Sequence, residues 1–323
     1  IRLGKAEPIH ELYYGQALVE SGEAEKAQPF FDKYNADSRG QNLSSSLSKN
    51  SLYKRNADAY AVNPVNYNSA QNDLCAVKFY DAIVFTSSRS KTPWIKTQQG
   101  WTGEGFMNLY ATERNDDGEE IPPRLFISDL NSKYNDGPAC FSRDYNTIYF
   151  SRNNFKKSER AADGSFKLKL LEATLDQNGF SMVKILPFNN NEFNFVHPTV
   201  SLDGYTMYFA SDMAGGLGGM DIYKSVKDSL GTWGTPVNMG EKINTAGNEM
   251  FPFIGTDGLL YFSSDGHDGL GGLDIYEARL NPEKQVKKIY NMGEPVNSRY
   301  DDFGIYLMED NKSGFISSNR KAG

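Results

Sequence analysis

Five aspartates sit in or beside two glycine-rich loops, and carboxylate oxygens so placed could coordinate calcium. They are Asp212, Asp221, Asp265, Asp268 and Asp274. The first loop reads Gly215-Gly216-Leu217-Gly218-Gly219-Met220-Asp221. It is close to a calcium-binding Gly-Gly-x-Gly-x-Asp pattern, with its aspartate one residue late. The same residues have a structural use. Glycines supply the positive φ of tight turns, and an aspartate opening a strand accepts hydrogen bonds from its own loop. Turn chemistry is the expected role and calcium the alternative; no cofactor is expected.

The other chemistry-bearing residues are scattered. His10, His197 and His267 show no metal-ligand spacing. His197 precedes Pro198 at a strand and is placed to face a central channel. Arg89, Arg152 and Arg320 follow comparable strands, in Ser88-Arg89, Ser151-Arg152 and Asn319-Arg320. Pairing with nearby aspartates is their expected state. The sharper alternative is a rim that binds an anion or a carboxy-terminus, with His197 beside it. No Gly-x-Ser-x-Gly nucleophile elbow occurs. With 41 acidic residues a carboxylate pair for glycoside hydrolysis can always be found, so their number decides nothing. Cys75 and Cys140 are too few for a disulfide framework or a zinc site, and whether they are bridged stays open. A net charge of −7 does not suit nucleic acid, which needs a basic surface. No apolar run reaches the about 18 residues of a membrane-spanning helix.

What positions these residues is a repeat. Met220-Asp221-Ile222-Tyr223 returns as Leu273-Asp274-Ile275-Tyr276. Each follows a glycine loop, an aromatic strand and an Asp-Gly turn (Asp203-Gly204, Asp257-Gly258). The central strand recurs at 81–88, 146–152, 207–211, 259–264 and 313–319. Its phenylalanines are Phe85, Phe150, Phe209, Phe262 and Phe315, at a spacing that narrows toward about 50 residues. With four strands per unit, this predicts a five-bladed β-propeller over residues 58–323. Inner strands are expected at 138–142, 198–201 and 252–255, and third strands at 107–110, 167–170, 220–223 and 273–276. Fourth strands lead into Asn-containing loops at 236–244 and 289–297. Tyr60–Asn66 resembles those fourth strands and is the expected closing strand, since closure removes an exposed edge. The last unit stops before its third strand, so a Gly-rich loop and an Asp-Φ-Tyr strand are expected to follow Gly323.

Residues 1–40 carry helical spacing on both sides of Ser21-Gly22, the pattern of an αα-hairpin. Gly15, Gly22, Ala27 and Phe31 resemble the small and large positions of one tetratricopeptide repeat. About three such repeats are needed for a stable array, so more helices before Ile1, or docking onto the rest of the chain, are expected. Pro29 places the second helix start near 27–29. Residues 41–57, polar and serine-rich, are expected to be a linker, with a short helix as the alternative.

The unit Ser-x-Asp-Gly-x-x-Leu/Met-Tyr-Phe-x-Ser … Gly-Gly-Φ-Asp-Ile-Tyr resembles the TolB-type, WD-like propeller repeat. The Gly-Leu-Gly-Gly-Φ-Asp-Ile-Tyr form is similar to that of OmpA-family, outer-membrane-associated proteins of Bacteroidetes, in which tetratricopeptide repeats precede the propeller. The resemblance implies a non-catalytic periplasmic scaffold of an outer-membrane-associated assembly, including type IX secretion. Its implied partners are other envelope or secretion-system proteins, with peptidoglycan bound only through a domain absent from this chain. A carbohydrate- or peptide-binding module for nutrient uptake and a propeller glycosidase are the alternatives.

Overall fold

The computed structural model describes residues 7–55, 57–89, 105–115, 117–127, 130–132, 134–153, 157–177 and 179–320. The first six residues of the expected hairpin and the last three of the expected final blade lie outside them.

Helix α1 (Pro8–Glu20) opens with proline in its first turn, where the missing N–H is not needed. The Glu7 N–H donates to His10 Nδ1 at 2.9 Å, so this histidine closes the helix start. Gly22, at φ 87°, ends it, and its N–H and that of Glu23 satisfy the carbonyls of Val19 and Leu18. Helix α2 (Gln28–Lys33) starts where Pro29 requires. A Cβ on Gly15 would stand 2.4 Å from the Phe31 ring, so glycine is what lets the two helices close. Leu12, Ala27, Phe31, Tyr34 and Leu43 form their shared core.

Residues 41–57 are not an open linker. Helix α3 (Arg39–Ser48) and the single turn α4 (Asn50–Tyr53) occupy most of that stretch. Leu43 and Leu47 pack α3 onto the hairpin, and its serines face out or bond back to the preceding turn. The sequence signal failed because few apolar residues suffice to bury one face of so short a helix.

Eighteen strands follow among the described residues. The first sheet holds β1 (Asp73–Phe79), β2 (Ala82–Ser87), β3 (Asn108–Thr112) and β4 (Arg124–Leu125). The second holds β5 (Asp136–Phe141), β6 (Thr147–Asn153), β7 (Leu168–Asp176) and β8 (Gly179–Ile185). The third holds β9 (Phe195–Val200), β10 (Thr206–Ser211), β11 (Asp221–Val226) and β12 (Val237–Asn238). The fourth holds β13 (Glu249–Ile254), β14 (Leu260–Ser264), β15 (Asp274–Leu280) and β16 (Val286–Asn291). Each is an antiparallel meander, strand next to strand in chain order. β17 (Asp302–Leu307) and β18 (Gly314–Ser318) form a two-stranded sheet.

The five-bladed expectation is therefore corrected: four blades are complete, and the fifth unit has two strands among the described residues. Tyr60–Asn66, the expected closing strand, is not a strand. A fourth strand pairs with a third, and no third strand stands beside β18 among the described residues. The innermost strands still close on themselves, because β1 packs against β17 and β18 while β5, β9 and β13 link the rest.

Each second strand is sandwiched between two neighbouring blades. Met207, Tyr208, Phe209 and Ala210 of β10 are all fully buried, and so are Leu260 and Phe262 of β14. That double burial is why the central strands read as apolar runs rather than alternating patterns. The cores lie between blades: Val84, Ile148 and Phe150 join the first two, Phe195 and Phe209 lie with Tyr149 and Leu170 between the next two, and Ile222 lies with Phe262. The helical unit docks on the fourth blade. Asn42 Nδ2 donates to the Gly266 carbonyl (2.7 Å), Gly269 N–H to Ser46 Oγ (2.9 Å) and Glu294 N–H to the Tyr53 carbonyl (2.8 Å), while Lys49 pairs with Asp268.

Candidate functional site

The innermost strands line a central channel, and all of them bend at the same point. β1, β5, β9, β13 and β17 each carry a register shift against their second strand. The residue at the bend has positive φ in every case: Cys75 (53°), Gly137 (99°), His197 (56°), Phe251 (51°) and Gly304 (60°). Glycine takes this conformation freely, whereas cysteine, histidine and phenylalanine hold it at a cost. Neighbours fix it: the Cys75 N–H donates to Ser317 Oγ (2.8 Å) and the His197 N–H to Ser151 Oγ (3.1 Å), each a serine of the preceding blade.

The bends enclose a cavity of about 150 Å³. The His197 ring stacks on Phe251 at 3.8 Å, and Phe251 lies 4.8 Å from Phe303. Burial pushes the His197 imidazole down to about 3, so it is neutral at physiological pH. Cys75 and Cys140 also line the cavity as free thiols, and burial pushes both up, Cys75 to about 12. The charged lining residues are Lys78, Arg143 and Glu309. Nearby, the half-exposed Tyr80 lies 4.7 Å from Tyr145, itself a lining residue.

Arg89, Arg152 and Arg320 are engaged within their own blades. Arg89 Nη2 binds Asp73 Oδ1 at 2.8 Å and the Tyr67 carbonyl at 3.0 Å. Arg152 pairs with the fully buried Asp136 and donates to the Leu130 carbonyl. Arg320 pairs with the fully buried Asp302 and donates to the Val296 carbonyl at 2.7 Å. The carboxylates begin inner strands, and each also accepts the N–H of a serine four residues earlier: Ser69, Ser132 and Ser298. An anion-binding rim would require these pairs to open.

The calcium candidates act within turns. Asp221 accepts the N–H groups of Leu217 (2.6 Å) and Gly218 (3.2 Å), plus Asn238 Nδ2 (2.7 Å). Asp274 accepts the Leu270 N–H and Asn291 Nδ2 (3.0 Å). A Cβ on Gly216 or Gly269 would strike these carboxylates, and one on Gly218 or Gly271 would meet a carbonyl of the next blade at 2.2 Å. Asp212 accepts from Asn194, and Asp265 from Asn248. Among the described residues no group of three His, Cys, Asp or Glu side chains could hold a metal ion.

One buried group, Glu249, carried no signal in the sequence. Glu249 begins β13 where β1, β5 and β17 begin with an Asp–Arg pair, yet among the described residues no cation pairs with it. Its oxygens accept the Thr245 N–H (2.7 Å), Thr245 Oγ1 (2.7 Å) and Ser264 Oγ (2.6 Å). Burial pushes it up from 4.5 to about 7, with Asp265 adding to the push. Burial pushes Asp274 from 3.8 to about 7 as well. The folded chain holds these protons more tightly than the unfolded one, so their contribution is full below about pH 4 and lost as the pH rises through about 7. Unfolding free energy from urea melts is expected to fall between about pH 5 and pH 8. Glu249→Gln should flatten that slope and stabilise the protein at about pH 8 by at most about 3 kcal/mol. An unchanged slope in the variant removes Glu249 as the titrating group.

A second repeated device is an asparagine that clamps each third strand. Asn131, Asn189, Asn244 and Asn297 accept the N–H of Leu109, Leu170, Ile222 and Ile275 at 2.7, 2.9, 2.7 and 2.7 Å. Their Nδ2 groups donate to the carbonyls of the same four residues. The signal was present as asparagines in the loops after the fourth strands, at a separation of 22 residues in three of the four blades.

Radial four-stranded meanders around a channel define a β-propeller-like fold, here joined to a helical hairpin unit. The solved structures it resembles include TolB from Acinetobacter baumannii, at 16% identity and TM-score 0.40, with 65% of this chain and 48% of that one covered. A putative TolB from Agrobacterium tumefaciens matches at 14% identity and TM-score 0.42, covering 75% and 72%. An endo-arabinase from Bacteroides thetaiotaomicron matches at 13% and TM-score 0.48, covering 81% and 94%. The chain thus spans about half of the first of these. No protein-family model matches the chain, and no curated protein sequence matches it.

Proposed function

We propose that this chain is a non-catalytic protein-interaction scaffold of the periplasm, belonging to an outer-membrane-associated assembly. The observation that carries the reading is the channel lining: Glu309 is its one carboxylate among the described residues, whereas glycoside hydrolysis takes two. Asp73, Asp136 and Asp302 are held in ion pairs, and Asp221 and Asp274 by their own loops. A rigid ring with a mostly apolar channel and an aromatic mouth suits docking of another polypeptide. The helical unit adds a second surface, on which Tyr13 and Tyr14 are more than half exposed. Its helix packing supports a tetratricopeptide-like repeat.

Domain order supports the finer reading. Helices followed by this propeller repeat resemble PorE of the type IX secretion apparatus, which makes envelope or secretion-system proteins the partners. No helix among the described residues is long and apolar enough to cross a membrane. The Tyr80–Tyr145 pair beside the channel favours, as the second reading, a site for a carbohydrate or peptide.

Photo-crosslinkers placed at Tyr13 and at Tyr80 test this in intact cells of the source organism. Crosslinks to envelope proteins are expected from at least one position. Saturable binding of a free glycan with no protein crosslink would replace the scaffold by the second reading. Hydrolysis of a glycan that disappears in Glu309→Gln would replace both.

A further inference from the structure

A groove lies between the second and third blades, both of which have all four strands. It measures about 380 Å³ and shares no lining residue with the channel. Its walls are Pro187, Phe188 and Phe193 from the stretch between β8 and β9, Met213 after β10, and Trp233 and Pro236 between β11 and β12. The aromatic walls are held from behind. Phe188 stacks on the fully buried Phe209 at 5.0 Å. Trp233 packs edge-on to Tyr149 at 5.9 Å, and Lys227 Nζ lies 4.6 Å from the centre of its ring. An apolar approach leads in from one side: Met182, Val183 and Ile185 of β8 are all exposed and run into Pro187. Exposed apolar residues grouped in this way mark an interaction surface.

Hydrogen bonding decides what fits. Carbonyls along the groove are already in use. That of Met213 accepts the Gly216 N–H (3.2 Å) and Tyr223 Oη (3.3 Å), that of Gly234 accepts Ser225 Oγ (2.7 Å), and that of Asn190 accepts Lys169 Nζ. The indole of Trp233 is the opposite case. The residue is 5% exposed, and its Nε1–H donates to nothing among the described residues. Leaving a buried donor unmatched is costly. The matching ligand therefore offers acceptors, brings few N–H groups, and lays apolar rings on aromatic ones.

We propose that this groove is a docking site for a proline-rich segment of a partner protein, bound as a polyproline II helix. Proline presents a carbonyl and no N–H, so it can accept from the Trp233 indole without stranding donors against carbonyls that are taken. The polyproline II helix is extended before it binds, which limits the entropy lost on docking. Its pyrrolidine rings would lie against Phe188, Phe193 and Trp233. The groove is separate from the channel, so the outcome here leaves the scaffold reading untouched.

The probe is a fluorescein-labelled peptide of repeated Pro-Pro-Ser, titrated into the whole chain and read by anisotropy, with a repeated Ala-Ala-Ser peptide as control. Saturable binding of the proline peptide alone is expected. Trp233→Phe keeps an aromatic ring and removes the N–H, and should weaken binding about fivefold, the worth of one hydrogen bond. Ala214→Arg is the second variant. Ala214 is exposed and lines the groove, so the variant folds normally and its longer side chain should block the peptide. No saturation, equal binding of the alanine peptide, or indifference to either variant overturns the proposal.

Discussion

Replacing Arg152 with alanine is expected to lower the unfolding free energy by about 3–5 kcal/mol, the usual cost of removing one partner from a buried ion pair. The variant leaves Asp136 without its cation at a position with no solvent exposure, while the Ser132 N–H remains its donor. It also strips the Leu130 carbonyl of its partner and Phe150 of the guanidinium 4.9 Å from its ring. Urea denaturation measures the loss. Asp136→Leu combined with Arg152→Met should recover most of it, because two apolar groups leave no charge stranded. Arg320→Ala should behave like Arg152→Ala, as Asp302 is equally buried. The outcome separates the two readings of these arginines. Unchanged stability together with lost anion binding would establish a functional rim and remove the structural role.

The fold was legible where one residue type meets one physical demand. Burial between two blades requires apolar second strands, and all five stood out, with the Asp-Gly turns that precede two of them. The glycine loops were legible as turns because Gly216 and Gly269 make room for Asp221 and Asp274. The inner strands were harder. Their expected starts fall two or three residues late, because the bends at Gly137, His197 and Phe251 interrupt the alternation that identifies a strand. β1, β4, β8 and β17 gave no usable pattern at all, and α3 was hidden by its serines.

The site was less legible than the fold, since its parts are brought together by closure of the ring. Nothing local ties Cys75 to Ser317, or His197 to Phe251, although each pair meets in the channel. The ion pairs had a quiet signature: an acid opening the inner strand, and an arginine after the second. Reading the arginines alone exposed their charge and concealed its neutralisation. Blade number failed for a related reason. Tyr60–Asn66 has the composition of a fourth strand, but composition cannot supply the neighbour such a strand pairs with.

Asn297→Ala is expected to cost about 2–3 kcal/mol, although it removes a single uncharged side chain. The residue is fully buried. It holds the Ile275 N–H at 2.7 Å and the Ile275 carbonyl at 2.8 Å, and its Nδ2 also reaches Asn291 Oδ1. Alanine leaves the Ile275 N–H without a partner in a dry position, worth about 1–3 kcal/mol, while the Ile275 carbonyl keeps the Met292 N–H at 3.1 Å. Glutamine should fail to rescue, because its longer arm cannot face both groups from the same backbone. Amide hydrogen exchange provides a local readout: Ile275 should lose protection before its neighbours on β15. Asn68→Ala makes the contrast, with an expected change within about 0.5 kcal/mol, as for most exposed positions. A neutral Asn297→Ala would mean that β14 and β16 hold β15 unaided, and the clamp would then set register without adding stability.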